Sequence, residues 1–461
     1  MEPRVINTSP WLYGLKRERP VIRLKNDTTA DVVVVGAGIA GVSSAYFLLT
    51  RTDKSVVVID RLRVADGSTG YNAGTATPIF ERSLQHFVEL FGADRVRGGM
   101  RAVEDAWGLL QEVYAFAEGM DIPVSVNGYF GYRTPEDVAP VIVENGLRAS
   151  LGIPTREVFY AEELQDTLPG PLAHMPGLSF VPVKDIASHL RTNDTRLAAA
   201  VVEHEALVNT ASLCEKTVTA LLKAYPERFK IYEESEVTKI TSTAVGAVAR
   251  TATAAISAGK VVLATNAYEK FTLENGEGVE LNTRFHKSVG SRLAYMLGIF
   301  MPEKKADPGS LAYIFKPEDE HGISFEYVTE RPYSMDGVDG TLFTIGGPDF
   351  VFNHELVEYG KDTPFRQGVF KEMERFLEHH YGLSLKDKTY FQWHGLLAYT
   401  ETNARLVGAD PKAPNLLYNL GCNGVGILLS LWGGMRLADT LLGKELSPTM
   451  FDPPGHFDGA S

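Results

Sequence analysis

A glycine-rich turn constrains the fold of this chain more than any other feature. Residues 31–35 (DVVVV) are a β-branched run typical of a buried strand, and a charge-free segment reaching residue 49 is typical of a helix. In the turn between them, Gly36 permits a sharp reversal, Gly38 lets backbone N–H groups approach a pyrophosphate, and Gly41 lets the helix pack closely on the strand. The pattern predicts a strand, a turn and a helix whose N-terminus binds a dinucleotide.

The following strand strengthens this prediction and distinguishes between two dinucleotides. Residues 55–59 are again β-branched and end at Asp60, at the separation from Gly41 that lets a carboxylate accept hydrogen bonds from the adenosine ribose. A second small-residue loop, GSTGYNAGT at 67–75, offers backbone amides and hydroxyls to further phosphate and to the ribityl chain of a flavin. The sequence therefore favours an α/β protein that binds FAD over one that binds NAD, although the second loop taken alone is also compatible with an ordinary surface turn.

Composition and charge exclude several other classes. With 461 residues, of which 44% are hydrophobic, the chain can bury a large core, and its net charge of −13 without a basic block argues against nucleic acid as a partner. Residues 32–49 have the length of a minimal membrane span, but their glycines argue against one. Cys214 and Cys422 lack CxxC spacing and the first thirty residues lack a signal-peptide core, so we expect a cytoplasmic protein.

Three separated segments carry a family resemblance: GAGIAG with Asp60, GSTGYNAG at 67–74, and LLYNLGCNGVGI at 416–427 ahead of a helix. They resemble the flavin-binding segments of the FAD-dependent oxidoreductase family that includes D-amino-acid oxidase, glycine oxidase and sarcosine oxidase. Within this family, the chain resembles in particular the gamma-glutamylputrescine oxidase-like members. Residues 236–240 and 261–268 resemble two further strands of the flavin domain.

The resemblance implies that FAD is held by small and polar residues from these segments. Leu397 stands where the sarcosine oxidase branch has a cysteine that attaches the cofactor, and the loop at 67–75 has no histidine, so we expect non-covalent FAD. The residues predicted to bind it are Gly36, Gly38, Ile39, Ala40, Gly41, Asp60, Arg61, Gly67, Ser68, Thr69, Asn72, Ala73, Gly74, Val237, Thr265, Gly421, Asn423, Gly424, Val425, Gly426 and Ile427.

The resemblance also implies a Rossmann-like FAD-binding domain interleaved with a sheet-rich, α+β substrate domain. Each domain is then assembled from segments that are far apart in the sequence. The expected bounds are 30–90, 185–270 and 395–445 for the FAD-binding domain, 91–184 and 271–394 for the substrate domain, 1–29 for an N-terminal extension and 446–461 for a C-terminal tail.

Composition and periodicity make local predictions within this plan. They predict a helix over residues 194–224 and strands at 312–315, 323–328 and 341–345. The N-terminal extension is either a mobile tail or, given Trp11 and Tyr13, a segment docked on the body.

The family resemblance implies oxidation of a C–N bond in an amine or amino-acid derivative to an imine, by hydride transfer to flavin N5. Oxygen is the expected acceptor, giving hydrogen peroxide. Tyr399 and His394 are candidate catalytic residues because they lie in the segment that resembles the family strand over the flavin, and Lys287 or Arg292 could supply a cation near the flavin or bind a carboxylate. The alternatives are a packed tyrosine and solvated surface charges.

Departures from the family pattern leave other functions open. Leu428 stands where the sarcosine oxidase branch has a carboxylate-binding lysine, which favours an amine or a larger derivative as substrate, and residues 343–345 lack the lysine that speeds reaction with oxygen. The alternatives are therefore a dehydrogenase that passes electrons to a quinone or carrier protein, and a non-catalytic flavin-binding subunit of a complex. The oligomeric state stays open.

No metal site is expected. The pair His379 and His380 lies in a predicted helix, where adjacent side chains diverge, and we interpret both as surface histidines.

Overall fold

The computed structural model of the protein describes residues 2–120, 123–268, 270–281, 290–303, 307–314, 325–352 and 359–453. In this part of the chain two mixed β-sheets are packed with helices. The chain passes repeatedly from one sheet to the other, so each sheet is assembled from segments far apart in sequence. This arrangement confirms the predicted α/β fold.

The smaller sheet is built around the β-branched runs that the sequence marks as strands. Val33 pairs with Val57 in parallel on one side and with Val261 in parallel on the other, and all three side chains are buried. Strands are numbered along the chain. Across the sheet, in the described residues, they are β13 (Thr272–Asn275), β10 (Lys239–Ser242), β11 (Ala247–Arg250), β12 (Ala255–Leu263), β2 (Thr28–Val35), β3 (Val56–Ile59) and β9 (Phe229–Tyr232), with β20 (Leu416–Leu420) beside β12 and β19 (Leu406–Ala409) beside β20.

The larger sheet is mainly antiparallel. Its central ladders are long, and Arg292 faces Leu397 on one neighbour and Val351 on the other. Its described strands, in order across the sheet, are β1 (Val5–Ile6), β18 (Thr389–Tyr399), β14 (Gly290–Met301), β17 (Val338–Val351), β16 (Phe325–Met335), β15 (Gly309–Ile314), β5 (Val124–Tyr132), β8 (Ala199–Leu207), β6 (Glu157–Ala161) and β7 (Leu178–Val181), with β4 (Thr75–Ala76) paired to β8.

The first and last long helices pack closely against each other. Gly434 makes this approach possible, because a Cβ there would lie 2.8 Å from the backbone of Ser43. Within the described residues, no helix is both long enough and apolar enough to cross a membrane. The helices are α1 (Pro10–Tyr13), α2 (Ile39–Arg51), α3 (Leu84–Phe91), α4 (Ala93–Phe116), α5 (Pro135–Ser150), α6 (Val183–His189), α7 (Thr210–Ala224), α8 (Val369–Tyr381) and α9 (Ile427–Leu441), with short 3₁₀ turns at Glu162–Thr167 and Leu172–His174.

The local predictions have mixed outcomes. The strands predicted at 312–315, 323–328 and 341–345 coincide with β15, β16 and β17 over the described residues. The helix predicted over 194–224 is wrong in its first half, because residues 199–207 form β8, and only α7 is helical. Alanine, glutamate and leucine favour a helix there, but pairing with β5 and β6 overrides that preference. Thus β8, which lies in a range expected to belong to the FAD-binding domain, pairs in the larger sheet.

The N-terminal extension is docked on the body. Trp11 is buried and its Nε1 donates a hydrogen bond to Asn72 O at 2.8 Å, while the Ser9 hydroxyl donates to Gly70 O. Further along, the buried Arg19 guanidinium pairs with two carboxylates. The two aromatic residues singled out in the sequence thus mark a docked segment, which holds the loop at 67–74 from outside.

Candidate active site

The turn after β2 forms one wall of a cavity at the edge of the smaller sheet. Gly36 has a φ of +109°, and a Cβ on it would lie 2.5 Å from Ala264 O. A Cβ on Gly38 would lie 2.8 Å from Thr69 Oγ1, the atom that accepts a hydrogen bond from Ile39 N–H at 2.9 Å. Bare backbone therefore faces this cavity at the N-terminus of α2, where N–H groups and the helix dipole favour phosphate. We call it the glycine-rich cavity.

Gly41 and Asp60 support this wall in different ways. Gly41 does not line the cavity, but a Cβ there would collide with Gly36 O, so it allows the close helix packing that the motif predicts. Asp60 does line the cavity, and its carboxylate accepts hydrogen bonds from Ala37 N–H at 2.6 Å and Leu62 N–H at 2.7 Å. Burial raises the pKa of Asp60, while these two hydrogen bonds lower it. The carboxyl group is thus fixed at the end of β3.

The loop at 67–74 crosses from the smaller sheet to the larger one. Ser68 Oγ donates to Leu396 O at 2.6 Å on β18, and Thr210 Oγ1 donates to Thr69 O at 2.6 Å at the start of α7. Within the loop, Gly74 N–H donates to the Asn72 side chain at 2.9 Å. The loop is therefore a fixed wall rather than an ordinary surface turn.

A buried arginine adds to this support. Arg331 on β16 donates hydrogen bonds to Gly74 O at 3.0 Å and Ala73 O at 3.2 Å, and its guanidinium lies 4.6 Å from the Trp11 ring centroid. Burial lowers the pKa of Arg331 to about 9. The larger sheet and the N-terminal extension therefore hold the end of the loop from two sides.

The turn at 421–427 closes the opposite wall. Gly424 has a φ of +80°, and a Cβ there would collide with the Glu81 carboxylate. Asn423 is buried and links the turn to the end of β18, since its Oδ1 accepts from Thr400 N–H and its N–H donates to Ala398 O, both at 2.8 Å. Asn423 thus stabilises the turn instead of facing the cavity.

The glycine-rich cavity has the chemistry expected for an extended dinucleotide. It encloses about 1350 Å³ of space, counting the solvent at its mouth. Thr75 Oγ1 is buried beside it without a hydrogen-bond partner in the described part of the chain, as expected for a group that a ligand would satisfy. The predicted cofactor residues that line it are Gly36, Gly38, Ile39, Ala40, Asp60, Arg61, Gly67, Ser68, Thr69, Asn72, Ala73, Gly74, Val237, Thr265, Gly424, Gly426 and Ile427.

Some of the residues predicted to bind the cofactor lie outside the glycine-rich cavity. Gly41, Gly421 and Asn423 do not line the glycine-rich cavity, and Val425 lines a neighbouring one. Lys270 and Arg405 also line the glycine-rich cavity, and the sequence did not point to them because neither lies in a motif.

The neighbouring cavity is lined by several acids, and we call it the acidic cavity. Tyr399, at the end of β18, donates a hydrogen bond to Glu81 Oε2 at 2.7 Å and to Asp349 Oδ2 at 3.3 Å. Arg292 on β14 pairs with Asp349 at 3.1 Å and lies 5.1 Å from the Tyr399 ring centroid. These contacts follow from the strand order β18–β14–β17, with Glu81 supplied by the segment after β4.

The Glu81 carboxyl group has an unusual pKa. Burial raises it to about 7, while the hydrogen bond from Tyr399 lowers it; the charge of Asp349 raises it, and those of Arg292 and Arg82 lower it. The same burial, together with the charge of Glu81, raises the pKa of Tyr399 well above its ordinary value. Glu81 can therefore exchange a proton near neutral pH, whereas Tyr399 remains a hydrogen-bond donor.

A second buried carboxyl group lines the acidic cavity. Glu205 on β8 is only 3% exposed, and burial raises its pKa to about 7, while a hydrogen bond with the Ser310 hydroxyl lowers it. Gly128 lies on β5, the strand that pairs with β8, and a Cβ on it would collide with the Glu205 carboxylate. A glycine in β5 thus makes room for this acid.

The two cavities share part of their lining. This common wall comes from the loop at 67–75, from β18 and from the turn at 421–427, which the fold brings together. The residues that line both cavities are Ser68, Asn72, Ala73, Thr75, Leu397 and Gly424.

The four predicted catalytic residues have different outcomes in the described structure. His394 lines neither cavity, because its ring packs on the other face of β18, where Nε2 donates to Thr363 O at 2.8 Å and Nδ1 accepts from Tyr359 Oη at 3.0 Å. Burial lowers the pKa of His394. Lys287 lies outside the described residues. Tyr399 and Arg292 do line the acidic cavity, and Glu81, Glu205 and Asp349 were missed.

The interpretation of both adjacent histidines as surface residues is wrong for one of them. His380 is buried, and nitrogen atoms of both rings lie within 4.8 Å of an Asp194 oxygen, because the side chains converge although their Cβ atoms diverge. Arg196 already donates to both Asp194 oxygens, at 2.9 and 3.0 Å, and Arg133 lies 3.3 Å away. Two guanidinium groups therefore already pair with the carboxylate of this cluster.

Comparison with known proteins agrees with this geometry. A family model described as "DAO: FAD dependent oxidoreductase" matches residues 31–440. Among curated proteins, Gamma-glutamylputrescine oxidoreductase of Escherichia coli is 30% identical over 90 residues, which is 20% of this chain and 21% of that protein. The first curated relatives match only short segments, so the aligned part spans 15 to 21% of their length.

Solved structures match over most of the chain. Glycine oxidase from Geobacillus kaustophilus superposes with a TM-score of 0.64 at 17% identity, covering 91% of this chain and 96% of that one. L-proline dehydrogenase from P. horikoshii has a TM-score of 0.64 at 17% identity, covering 93% and 97%. At this identity the likeness establishes the fold.

Proposed function

The chain belongs to this family of FAD-dependent oxidoreductases, and on that premise we propose that it oxidises a C–N bond of a small amine or amino-acid derivative to the imine. The curated and structural relatives named above support this reaction, since each is named for a substrate that contains a C–N bond. The substrate occupies the acidic cavity and FAD occupies the glycine-rich cavity.

The shared wall of the two cavities is the observation that carries the proposal. Residues such as Leu397 and Gly424 line both spaces, so a substrate in the acidic cavity lies directly against a cofactor in the glycine-rich cavity. Oxidation of this kind requires the reacting carbon to be held in contact with the cofactor, and water to be excluded from that contact. Two adjoining cavities with a shared wall meet the first requirement, and a substrate seated against the cofactor would displace water from the contact.

The residues that would hold FAD are those of the glycine-rich cavity. The N-terminus of α2 would bind the pyrophosphate and Asp60 the ribose, while Gly424, Gly426 and Ile427 would lie along the flavin. Bound FAD supplies the acceptor for the two electrons that leave the substrate. Ile427 begins α9, and the positive end of that helix dipole stabilises negative charge beside it.

Glu81 is the group that we assign to proton transfer. An amine must lose its ammonium proton before its nitrogen can share electrons with the adjacent carbon, and a carboxylate with a pKa of about 7 can accept that proton at neutral pH. Tyr399 orients the carboxylate by donating to Oε2, and Arg292 holds the adjacent Asp349. The imine then reacts with water after it leaves.

The electron acceptor has two candidates. Oxygen is the expected one, whereas the resemblance links fast reaction with oxygen to a lysine near the flavin. Among the described residues, the cations that line the acidic cavity are arginines, Arg82 and Arg292, which favours a carrier protein or quinone as the second candidate. Lys270 lines the glycine-rich cavity, however, so a lysine beside the cofactor is available for reaction with oxygen. Anaerobic reduction followed by admission of air separates them, because an oxidase is reoxidised in seconds and a dehydrogenase only over many minutes.

The proposed function is tested by anaerobic spectroscopy of the purified, FAD-loaded protein with a panel of amines and amino acids. Loss of flavin absorbance on adding an amine supports it, and failure of the whole panel to reduce the flavin overturns it. Acid precipitation of the same protein should release the flavin into the supernatant, because Leu397 offers no attachment point and burial raises the pKa of the nearby Cys422 thiol. Flavin retained by the pellet would refute non-covalent binding.

A further inference from the structure

The acidic cavity carries a second feature that C–N oxidation alone does not explain. Glu205 is buried at its wall, away from the Tyr399 group, and nothing in the proposed reaction requires a second carboxyl group there. A buried carboxylate is costly unless a positive charge compensates it. The hydroxyl groups of Ser310 and Thr77 stabilise the ionised Glu205 by hydrogen bonding but carry no charge, so a compensating positive charge is still to be supplied.

We propose that the acidic cavity binds a substrate with two positively charged amino groups, a diamine or a longer polyamine, with the reacting amine at Glu81 and the second ammonium group at Glu205. This inference rests on the proposed function and specifies its substrate class.

The charges around the cavity support two cationic positions. Its described lining has three acids, Glu81, Glu205 and Asp349, and Arg292 neutralises Asp349 through their ion pair. Of the remaining acids, Glu81 has the charges of Arg292 and Arg82 nearby, whereas among the described residues the charge that shifts the pKa of Glu205 is the like charge of Glu203. A second ammonium group would supply the missing compensation at Glu205.

The two positions lie within reach of one small molecule. Thr77 lines the cavity, and the chain runs from it through Ile79 to Glu81 along the same wall. Two residues joined by four peptide units are at most about 14 Å apart. The strand β4 comes just before this segment and pairs with β8, where Ala76 lies opposite Ala206, the neighbour of Glu205. The segment from Thr77 to Glu81 therefore begins near Glu205 and ends at Glu81.

The same charges disfavour an amino-acid substrate. A free carboxylate in this cavity would meet like charge from Glu81 and Glu205, which opposes binding. Arg292, predicted from the sequence as a carboxylate ligand, is already engaged by Asp349 and by the Tyr399 ring. The charge of Arg82, the other arginine of the described lining, acts on Glu81.

The first test compares three substrates of equal chain length on the FAD-loaded enzyme: an α,ω-diamine, the corresponding monoamine and the corresponding ω-amino acid. The diamine should have a kcat/KM about 10- to 100-fold above the monoamine, which is the effect of one buried charge-assisted contact, and the ω-amino acid should be poorest. A monoamine that matches the diamine, or an ω-amino acid that exceeds it, overturns the inference while leaving C–N oxidation intact. If no amine reduces the flavin, it is the proposed function that fails.

The second test uses Glu205→Gln, with Glu104→Gln, an exposed acid on α4, as the matched control. Glu205→Gln should bring the diamine-to-monoamine ratio close to one, and Glu104→Gln should leave it unchanged. A direct binding readout comes from calorimetry with a bis-trimethylammonium alkane, which cannot be oxidised at a primary amine. At pH 6.5 its binding to the wild-type protein should release protons, and Glu205→Gln should release fewer. An unchanged ratio or unchanged proton release in a folded, flavin-loaded Glu205→Gln protein overturns the inference.

Discussion

The Tyr399 hydroxyl donates a hydrogen bond to Glu81 Oε2 at 2.7 Å, which joins the end of β18 to the segment that follows β4. The bond favours the ionised form of a carboxyl group whose burial favours the neutral form. The balance between the two keeps Glu81 close to the midpoint of its titration at neutral pH. It also makes the pair sensitive to substitution.

Replacement of Glu81 should change the pH dependence of amine oxidation. Below pH 7 the wild-type carboxyl group is protonated and cannot accept the ammonium proton, so kcat/KM should rise through pH 7. Glu81→Gln should lower kcat/KM about 100-fold or more and abolish the limb near pH 7, leaving only the limb from the ionisation of the free amine. Stopped-flow reduction of the flavin between pH 5 and 9 measures both. A limb near pH 7 that persists in the variant would contradict the role of Glu81.

Tyr399→Phe should move that limb rather than abolish it. The hydroxyl stabilises the ionised carboxylate, so its removal raises the pKa of Glu81 and shifts the rise in kcat/KM to higher pH. At pH 9 the variant should recover most of the wild-type rate. A limb shifted to lower pH would show that Tyr399 does not act through Glu81.

Glu205 should cost the protein stability at high pH. Its pKa rises from 4.5 in the unfolded chain to about 7 in the folded protein, so the folded state is penalised as pH rises through this window, and the penalty is complete above pH 7. Glu205→Gln removes it and should be more stable than the wild type at pH 8, by up to about 3 kcal/mol, with the difference vanishing near pH 4.5. Urea unfolding at the two pH values tests this. A variant that is less stable at pH 8 would contradict the shifted pKa.

The cofactor site was more predictable from sequence than the acidic cavity. Gly36, Gly38 and Asp60 could be predicted because phosphate and ribose binding impose fixed residue types at fixed spacings on one strand–turn–helix unit. Glu81 and Glu205 had no such signal. They meet only through the pairing of β4 with β8 and the order of β18, β14 and β17, and those long-range contacts leave no local pattern.

His394 and β8 show the limits of local reasoning in opposite ways. His394 lies in the predicted site strand, but the alternation of side chains along β18 turns it to the face away from the cavity. The composition of residues 199–207 favours a helix, but partners on both sides make it a strand. The register and the partners of a strand depend on the rest of the fold.

The docked N-terminal extension should contribute to FAD retention. Trp11 donates to Asn72 O and lies against Arg331, so it supports the loop at 67–74 from outside the glycine-rich cavity. Trp11→Ala should cost about 3 to 5 kcal/mol of stability, as expected for a buried tryptophan, and should weaken FAD binding measurably. Trp11→Phe keeps the packing and loses the N–H donor, so its effect on stability should be about 1 kcal/mol.

Trp107→Ala is the matched control, since Trp107 packs on His204 and lines neither cavity. It should lower the unfolding temperature without changing the dissociation constant for FAD. The increase in flavin fluorescence when FAD is released measures that constant. Comparing the two variants separates general destabilisation from loss of support for the loop at 67–74. Both variants should unfold more easily, but only Trp11→Ala should also bind FAD more weakly. If Trp11→Ala retained FAD as tightly as Trp107→Ala, the extension would be a structural addition with no part in cofactor binding.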